Sequence, residues 1–195
     1  MNWQEALQRL KAGNQRVVEG KSIQPHRVLP VDQHWGGASK PLATILGCSD
    51  SLFAPELIFD QGFGDLFVIR VAGNVVARSV LGSMQFAGAY LDTKLFIVLG
   101  HEGCGAVEAA LEESRGKARQ PGSIEVLMRL IRPALADLDP QAEGPAAAVA
   151  AVEANVQWSV RQIIAMPGVR KAIEEDRIQI LGAVCETQTG CVRYL

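Results

Sequence analysis

Apolar residues recur at helical spacing near the start of the chain. Over residues 2–19, Trp3, Leu7 and Leu10 are separated by glutamine, glutamate and arginine. This spacing predicts an amphipathic helix with one apolar face to bury. The segment 20–40 holds prolines and glycines without periodicity, which predicts a long arm or loop. We expect this N-terminal helix and arm to pack on a partner subunit, since their apolar face needs a surface to cover it.

Short apolar runs and longer helical segments alternate along the rest of the chain. Runs rich in Val, Ile, Leu and Phe with little alternation are typical of strands buried on both faces, as in a parallel sheet covered by helices. The predicted strands are 42–47, 66–71, 95–100 and 178–184, with a short edge strand at 192–195. The predicted helices are 79–90, 106–114, 124–138 with a distortion at Pro133, and 146–166. The pattern therefore predicts an α/β fold, with a mainly parallel four- or five-stranded sheet flanked by helices in one domain over residues 1–195.

Composition and charge exclude several classes of protein. The 195 residues include 19 Lys+Arg and 21 Asp+Glu, a net charge of −2, and 48% are hydrophobic. These values exclude a disordered chain and a nucleic-acid binder that relies on bulk charge. No run approaches the roughly 20 apolar residues that span a bilayer, and the N-terminus lacks the pattern of a secretory signal. We therefore expect a cytoplasmic protein, in which four cysteines do not form a disulfide scaffold.

Two cysteines and one histidine stand where predicted strands end. Cys48 directly follows the run 42–47, His101 follows the run 95–100, and Cys104 comes three residues later. Carboxyl ends of parallel strands meet at one edge of the sheet, so these side chains should converge. Taken singly, each is more easily explained as a buried core residue. Their joint placement favours a catalytic zinc site, with three protein ligands and an open fourth position, at one Zn²⁺ per chain.

Five further polar residues have weaker claims to a role. Asp50 lies two residues beyond Cys48, where its carboxylate can orient a zinc-bound water or coordinate the ion; the alternative is a helix cap. Cys185 and Cys191 have no histidine beside them, and we interpret them as small buried thiols. His26 and His34 fall in the polar arm and are interpreted as solvated loop residues.

Three motifs resemble those of the β-class carbonic anhydrases. They are Cys-Ser-Asp-Ser at 48–51, Arg-Val-Ala-Gly-Asn at 70–74 and His-Glu-Gly-Cys-Gly at 101–105, and the similarity continues through 55–62, 64–68 and the Thr-Gly at 189–190. The resemblance implies an α/β fold, zinc held by Cys48, His101 and Cys104, and reversible hydration of CO2 to bicarbonate. It also implies a homodimer or a higher assembly of dimers, in which N-terminal helices embrace the partner. A nucleobase deaminase uses a similar ligand set, but its His-x-Glu and Pro-Cys-x-x-Cys motifs are missing.

The chain departs from the family pattern near the first cysteine. Leu52 stands where the family has an arginine that holds the aspartate away from zinc. An unpaired Asp50 beside a divalent cation gains by ligating it, which predicts a closed site of Cys48, Asp50, His101 and Cys104. Ser39 replaces a glutamine that helps to hold bicarbonate. Ile45 replaces a tryptophan that one form of bicarbonate inhibition requires, which argues against that regulation here.

Three functions stay open from the sequence. The first is a working carbonic anhydrase in which Arg70 or Arg78 restrains Asp50, with an alkaline activity profile because two thiolates weaken the field of the zinc ion. The second is a zinc-bound homologue without hydration activity that has an assembly or regulatory role. The third is a hydrolase of a CO2-like substrate such as carbonyl sulfide or carbon disulfide. In each case the expected partners are a small molecule and further copies of the chain, with no nucleic acid and no membrane.

Overall fold

A five-stranded sheet forms the centre of the computed structural model, which describes residues 1–23, 40–116, 120–139 and 141–195. The strand order is β2-β1-β3-β4-β5, in which the first four strands are parallel and β5 is antiparallel to β4. The strands are β1 Ala43–Gly47, β2 Leu66–Arg70, β3 Leu95–His101, β4 Gln179–Cys185 and β5 Val192–Tyr194. The predicted α/β class with a mainly parallel sheet is confirmed. His26, His34 and Ser39, which the sequence analysis interpreted, lie outside the described residues.

Burial explains why the central strands are apolar throughout. Every residue of β1 and β3 is buried, whereas the edge strand β2 is only partly covered. Helices pack on both faces of the sheet and form two apolar clusters. They are α1 Trp3–Val18, α2 Pro55–Ile58, α3 Arg78–Tyr90, α4 Gly105–Ser114, α5 Ile124–Ile131, α6 Pro145–Ile164 and α7 Pro167–Glu174. Within the described part of the chain, none of these helices is long and apolar enough to cross a membrane.

Proline accounts for the main differences between predicted and observed helices. Pro133 lies in a 3₁₀ turn, Arg132–Leu135, that follows α5, so the predicted helix 124–138 is shorter and ends as this turn. Pro167 begins α7, a helix that the sequence analysis did not predict. Pro55 begins α2 in the same way. Proline suits the first helical position because its fixed φ is helical and its missing N–H has no intrahelical partner there.

The N-terminal helix α1 packs against the sheet of its own chain. Asn2 and Glu5 form a reciprocal capping box at its start. Ala6 and Leu10 are buried against the sheet. Part of the apolar face of α1 is therefore covered within one chain, whereas Val18 is 40% exposed. That the N-terminal helix and arm pack on a partner subunit stays a prediction.

Helix α6 lies exceptionally close to β3 and β4. A Cβ added at Gly100 would lie 2.6 Å from Val156 Cγ2, and one at Gly182 would lie 2.9 Å from Val156 Cγ1. Real side chains do not approach so closely, so glycine at both positions permits this packing. The middle of α6 is consequently fixed against the carboxyl-terminal half of the sheet.

Candidate metal centre

The three predicted ligands meet at the carboxyl edge of the sheet. Cys48 directly follows β1, His101 is the last residue of β3, and Cys104 is the N-cap residue of α4. All three are buried, and their ligand atoms lie within 4.8 Å of one another. Among the residues that the structure describes, they form the group of histidine, cysteine and carboxylate side chains that could hold a metal ion.

The separation of the two sulfur atoms suits a tetrahedral metal. Cys48 Sγ and Cys104 Sγ are 3.9 Å apart. Two sulfurs at about 2.3 Å from one tetrahedral zinc would be separated by about 3.8 Å. The pair therefore needs almost no rearrangement to accept such an ion.

Hydrogen bonding also prepares Cys48 to be a thiolate. The Cys104 thiol lowers the pKa of Cys48 to about 4 by hydrogen bonding, against the opposing effect of burial. The same interaction with Cys48, together with burial, raises the pKa of Cys104. The Gly73 N–H donates to Cys48 Sγ at 3.4 Å and adds to the stabilisation of its negative charge. Without a metal, the two sulfurs therefore share one proton and one negative charge, and a divalent cation displaces that proton.

The position of Cys104 favours its deprotonation when a cation is present. It stands at the N-terminus of α4, where backbone N–H groups of Ala106 and Val107 act to lower its pKa. The unpaired amides at a helix start carry partial positive charge, which stabilises a thiolate.

The imidazole of His101 is oriented by two neighbours. Its Nδ1 lies 3.0 Å from the carbonyl oxygen of Glu102, whereas its buried Nε2 has no hydrogen-bond partner. The Phe53 ring stacks on the imidazole, with centroids 3.9 Å apart and planes inclined by 23°. An Nδ1–H that donates to a carbonyl leaves the Nε2 lone pair available to a metal, an arrangement common in metal sites.

The metal-free charge balance of His101 has opposing contributions. Burial lowers the pKa of His101, but the nearby Cys48 thiolate and the Glu102 carbonyl favour the charged imidazole and outweigh burial, so the pKa is raised. The proton that the thiolate attracts must leave when Nε2 ligates a cation. The donor set and the unpartnered Nε2 together fit a zinc-type ion.

Asp50 lies beside the cluster without an arginine on its carboxylate. Its Oδ1 accepts a hydrogen bond from the Leu52 amide at 2.9 Å, and Leu52 itself is 79% exposed. Arg70 donates instead to the backbone carbonyls of Cys48, at 2.8 Å, and of Asp50. Over the described ranges, no lysine or arginine forms an ion pair with Asp50, and Arg78 begins α3. Arg70 therefore fixes the main chain of this loop. The Asp50 carboxylate is held by the Leu52 amide and is not among the ligand atoms that converge within 4.8 Å.

The two remaining cysteines stay apart from the cluster. Cys185 is buried at the end of β4, beside His101 in the parallel register, and its thiol donates to the Glu186 carbonyl. Burial raises the pKa of Cys185 to about 11, so it is a neutral thiol near pH 7. Cys191 is partly exposed.

Sequence reasoning missed three groups around the ligands. They are the ring of Phe53, the amide of Gly73 and the carbonyl of Glu102. Two of them are backbone atoms, which carry no side-chain signal. Phe53 follows the first cysteine motif but belongs to no periodic pattern, so only the fold brings its ring to His101.

Comparisons with known proteins agree with this geometry. The family model described as carbonic anhydrase matches residues 43–192. The chain is 40% identical over 130 residues to carbonic anhydrase 2 of Mycobacterium tuberculosis, covering 67% of this chain and 63% of that protein. A Coccomyxa β-carbonic anhydrase solved with acetazolamide aligns with a TM-score of 0.70 and 28% identity, covering 82% of this chain and 73% of that one. A structure reported among two tetrameric β-carbonic anhydrases from Sordaria macrospora has the same fold, with a TM-score of 0.73, 24% identity and 82% coverage of both chains.

Proposed function

Because the chain belongs to the β-carbonic anhydrase family, we propose that it binds one Zn²⁺ and catalyses the reversible hydration of CO2 to bicarbonate. One observation carries this proposal. Two cysteine sulfurs and an unpartnered histidine nitrogen converge within 4.8 Å at the carboxyl edge of a parallel sheet. The matched region spans 63% of the length of the M. tuberculosis relative, so the activity is proposed for this chain on its own residues.

The chemistry of the donor set supports zinc. Cysteine sulfur and histidine nitrogen are typical ligands of tetrahedral zinc, whereas magnesium and calcium take oxygen ligands. Cys48, His101 and Cys104 would hold the ion and leave a fourth position. Zinc bound there would supply Lewis-acid chemistry that makes a water nucleophilic near neutral pH.

The surrounding residues hold the ligands in their reactive forms. The Gly73 amide and the start of α4 stabilise negative charge on the two sulfurs, and the Glu102 carbonyl fixes the imidazole tautomer. Asp50 supplies the hydrogen-bond acceptor that orients the attacking group when its carboxylate is held off the metal. When it is not held off, the same carboxylate can occupy the fourth position.

We propose that the second arrangement prevails at neutral pH. The observation in its favour is the exposed Leu52 at the arginine position, with the guanidinium of Arg70 committed to backbone carbonyls. Cys48, Asp50, His101 and Cys104 would then form a closed site with low activity. A rise in activity toward alkaline pH is expected as hydroxide competes with the carboxylate.

Stopped-flow measurement of CO2 hydration on zinc-quantified protein at about pH 7 and 9 tests this function. We expect about one zinc per chain and a rate above buffer that is greater at the higher pH. Full zinc occupancy with no rate at either pH would select the second candidate, a zinc-bound homologue with an assembly or regulatory role. Hydrolysis of carbonyl sulfide or carbon disulfide without CO2 hydration would select the third.

We also propose that the chain forms a homodimer or a higher assembly of dimers. The aromatic rings of Phe86 and Tyr90 stack on an exposed face of α3, with their centroids 5.0 Å apart. This is an apolar surface that a second copy can cover. The Sordaria relatives are described as tetrameric. Light scattering at micromolar concentration should give at least the mass of a dimer, and a monomeric mass would contradict it. A cytoplasmic location stays a prediction of the sequence.

A further inference from the structure

Helix α6 carries two polar side chains into the apolar core behind the metal centre. Asn155 and Ser159 are each 1% exposed and lie one helical turn apart. Asn155 Nδ2 donates to the Gly73 carbonyl at 2.8 Å, and Ser159 Oγ donates to the Asn74 carbonyl at 3.2 Å. Both bonds reach the same short 3₁₀ turn, Ala72–Asn74.

The turn that they hold has an unfavourable backbone. Gly73 has φ 68° and Asn74 has φ 42°, so two successive residues adopt the left-handed region. Asparagine tolerates this region better than most residues, but at a free-energy cost that surrounding contacts must offset. The φ of Gly73 favours glycine because L side chains rarely adopt it, and a Cβ there would also lie 2.9 Å from Ile131 Cδ1. The two hydrogen bonds from α6 offset part of this cost.

The consequence of this backbone is the direction of one amide. The Gly73 N–H points at Cys48 Sγ, 3.4 Å away, while the carbonyl of the same residue points at Asn155. The two groups belong to the peptide units on either side of the same Cα, so holding the carbonyl restrains the short turn that carries the amide. Asn155 is itself held in place, because the next residue of α6, Val156, packs tightly against Gly100 and Gly182 of the sheet.

A purely structural role explains Asn155 poorly. Its Oδ1 is buried without a hydrogen-bond partner, which is destabilising. Apart from Ser159, the buried neighbours of Asn155 on α6 are apolar, including Val152 and Val156. What distinguishes Asn155 is the hydrogen bond from its Nδ2 to the Gly73 carbonyl.

We propose that Asn155 is a positioning residue of the metal centre, which acts through the Gly73 amide to set the electron donation and metal retention of the Cys48 thiolate. Removing a group that orients a metal ligand through a hydrogen bond commonly lowers the affinity for the metal by about 10- to 100-fold. The inference rests on the proposed zinc site, but it concerns a residue of α6 that touches neither the metal nor the substrate.

The test compares Asn155→Ala with a matched buried asparagine elsewhere. Asn14 bonds the Ile58 and Gly190 carbonyls and accepts from the Val192 amide, on the opposite side of the sheet. Asn14→Ala therefore removes at least as many buried hydrogen bonds as Asn155→Ala. For the full-length chain and both variants, we would measure the thiolate-to-Co²⁺ charge-transfer band, the rate of Zn²⁺ release to a chelator, and the melting temperature.

We expect Asn155→Ala to move the charge-transfer band to lower energy, because a thiolate that loses an N–H donor becomes a stronger electron donor. Its Zn²⁺ should be released about tenfold faster than from the parent chain. Asn14→Ala should lower the melting temperature without moving the band. Asn155→Ser, which keeps a shorter donor, should give an intermediate band and release rate, and it replaces Asn155→Ala if the alanine variant does not fold.

Three results would overturn the inference. The first is an unchanged band and release rate in a folded Asn155 variant. The second is an equal effect of Asn14→Ala, which would reduce Asn155 to a general stabilising residue. The third is a parent chain that binds Co²⁺ and Zn²⁺ without any thiolate band, and only this result also removes the proposed metal centre.

Discussion

Replacing Leu52 by arginine should activate CO2 hydration at neutral pH. The proposed closed site depends on an Asp50 carboxylate that no arginine holds, and Leu52→Arg supplies a planar, permanently charged partner for it. Arg70 does not take this role, because its guanidinium is bonded to the backbone of the same loop. The substitution therefore changes one interaction of the site and leaves the metal ligands in place.

The structure sets the size of the expected effect. Leu52 is 79% exposed, so its side chain contributes little packing that the substitution could remove. The Leu52 amide is 2.9 Å from Asp50 Oδ1, so a longer side chain at this position starts beside the carboxylate. An exposed ion pair contributes up to about 1 kcal/mol, and a hydrogen bond to a charged group contributes about 1.5–3 kcal/mol. Asp50 is partly buried, so a value near 1.4 kcal/mol is reasonable, which corresponds to a roughly tenfold faster rate.

Stopped-flow hydration at about pH 7, on variants with equal zinc content, measures this effect. Leu52→Lys is the first control, because it adds the charge without the bidentate fork and should recover less activity. Leu57→Arg is the second, since Leu57 is also an exposed leucine, at 57%, and the change adds the same charge on α2. We expect no gain from it.

Three results would refute this reasoning. A parent chain already fully active at pH 7 would sink the closed-site proposal, and it would mean that another group restrains Asp50. A folded, zinc-loaded Leu52→Arg variant without a gain would show that the site lacks more than this one arginine. Equal gains from Leu52→Arg and Leu57→Arg would trace the effect to net charge.

Three further predictions follow from the same contacts. Cys48→Ser and His101→Ala should each lose most of the bound zinc by elemental analysis, whereas Cys185→Ser should keep it; retention in the first two, or loss in the third, would contradict the ligand set. In metal-free protein, the ultraviolet absorbance of one thiolate should persist at neutral pH and vanish only as the pH falls toward about 4. Cys104→Ala should move this transition to higher pH, because it removes the main hydrogen bond that lowers the pKa of Cys48. Asn14→Ala leaves the Val192 amide without its acceptor, so urea unfolding should show a loss of about 2–3 kcal/mol, and an unchanged midpoint would refute that bond.

The sequence by itself determined the fold class and the ligands that converge. Strands buried on both faces must be apolar at every position, so β1 and β3 were visible as uninterrupted runs. A parallel sheet brings its strand ends to one edge, so Cys48 and His101 were expected to meet before any coordinates were known. Local rules also predicted the helix at the N-terminus, because its hydrophobic period is a property of neighbouring residues.

Only the tertiary structure decided what surrounds those ligands. Ala6 and Leu10 of α1 pack against the sheet of their own chain, since which surface covers an apolar residue depends on packing over long sequence separations. Arg70 reaches the backbone of the Asp50 loop and not its carboxylate, a choice between acceptors that lie within a few ångströms of each other. Asn155 is one of several polar residues of α6, and its role becomes visible only where Gly73 directs its amide toward Cys48. Periodicity and spacing indicate which elements form. The contacts that Arg70 and Asn155 make with the backbone around the ligands depend on backbone angles and approach distances, which no sequence pattern contains.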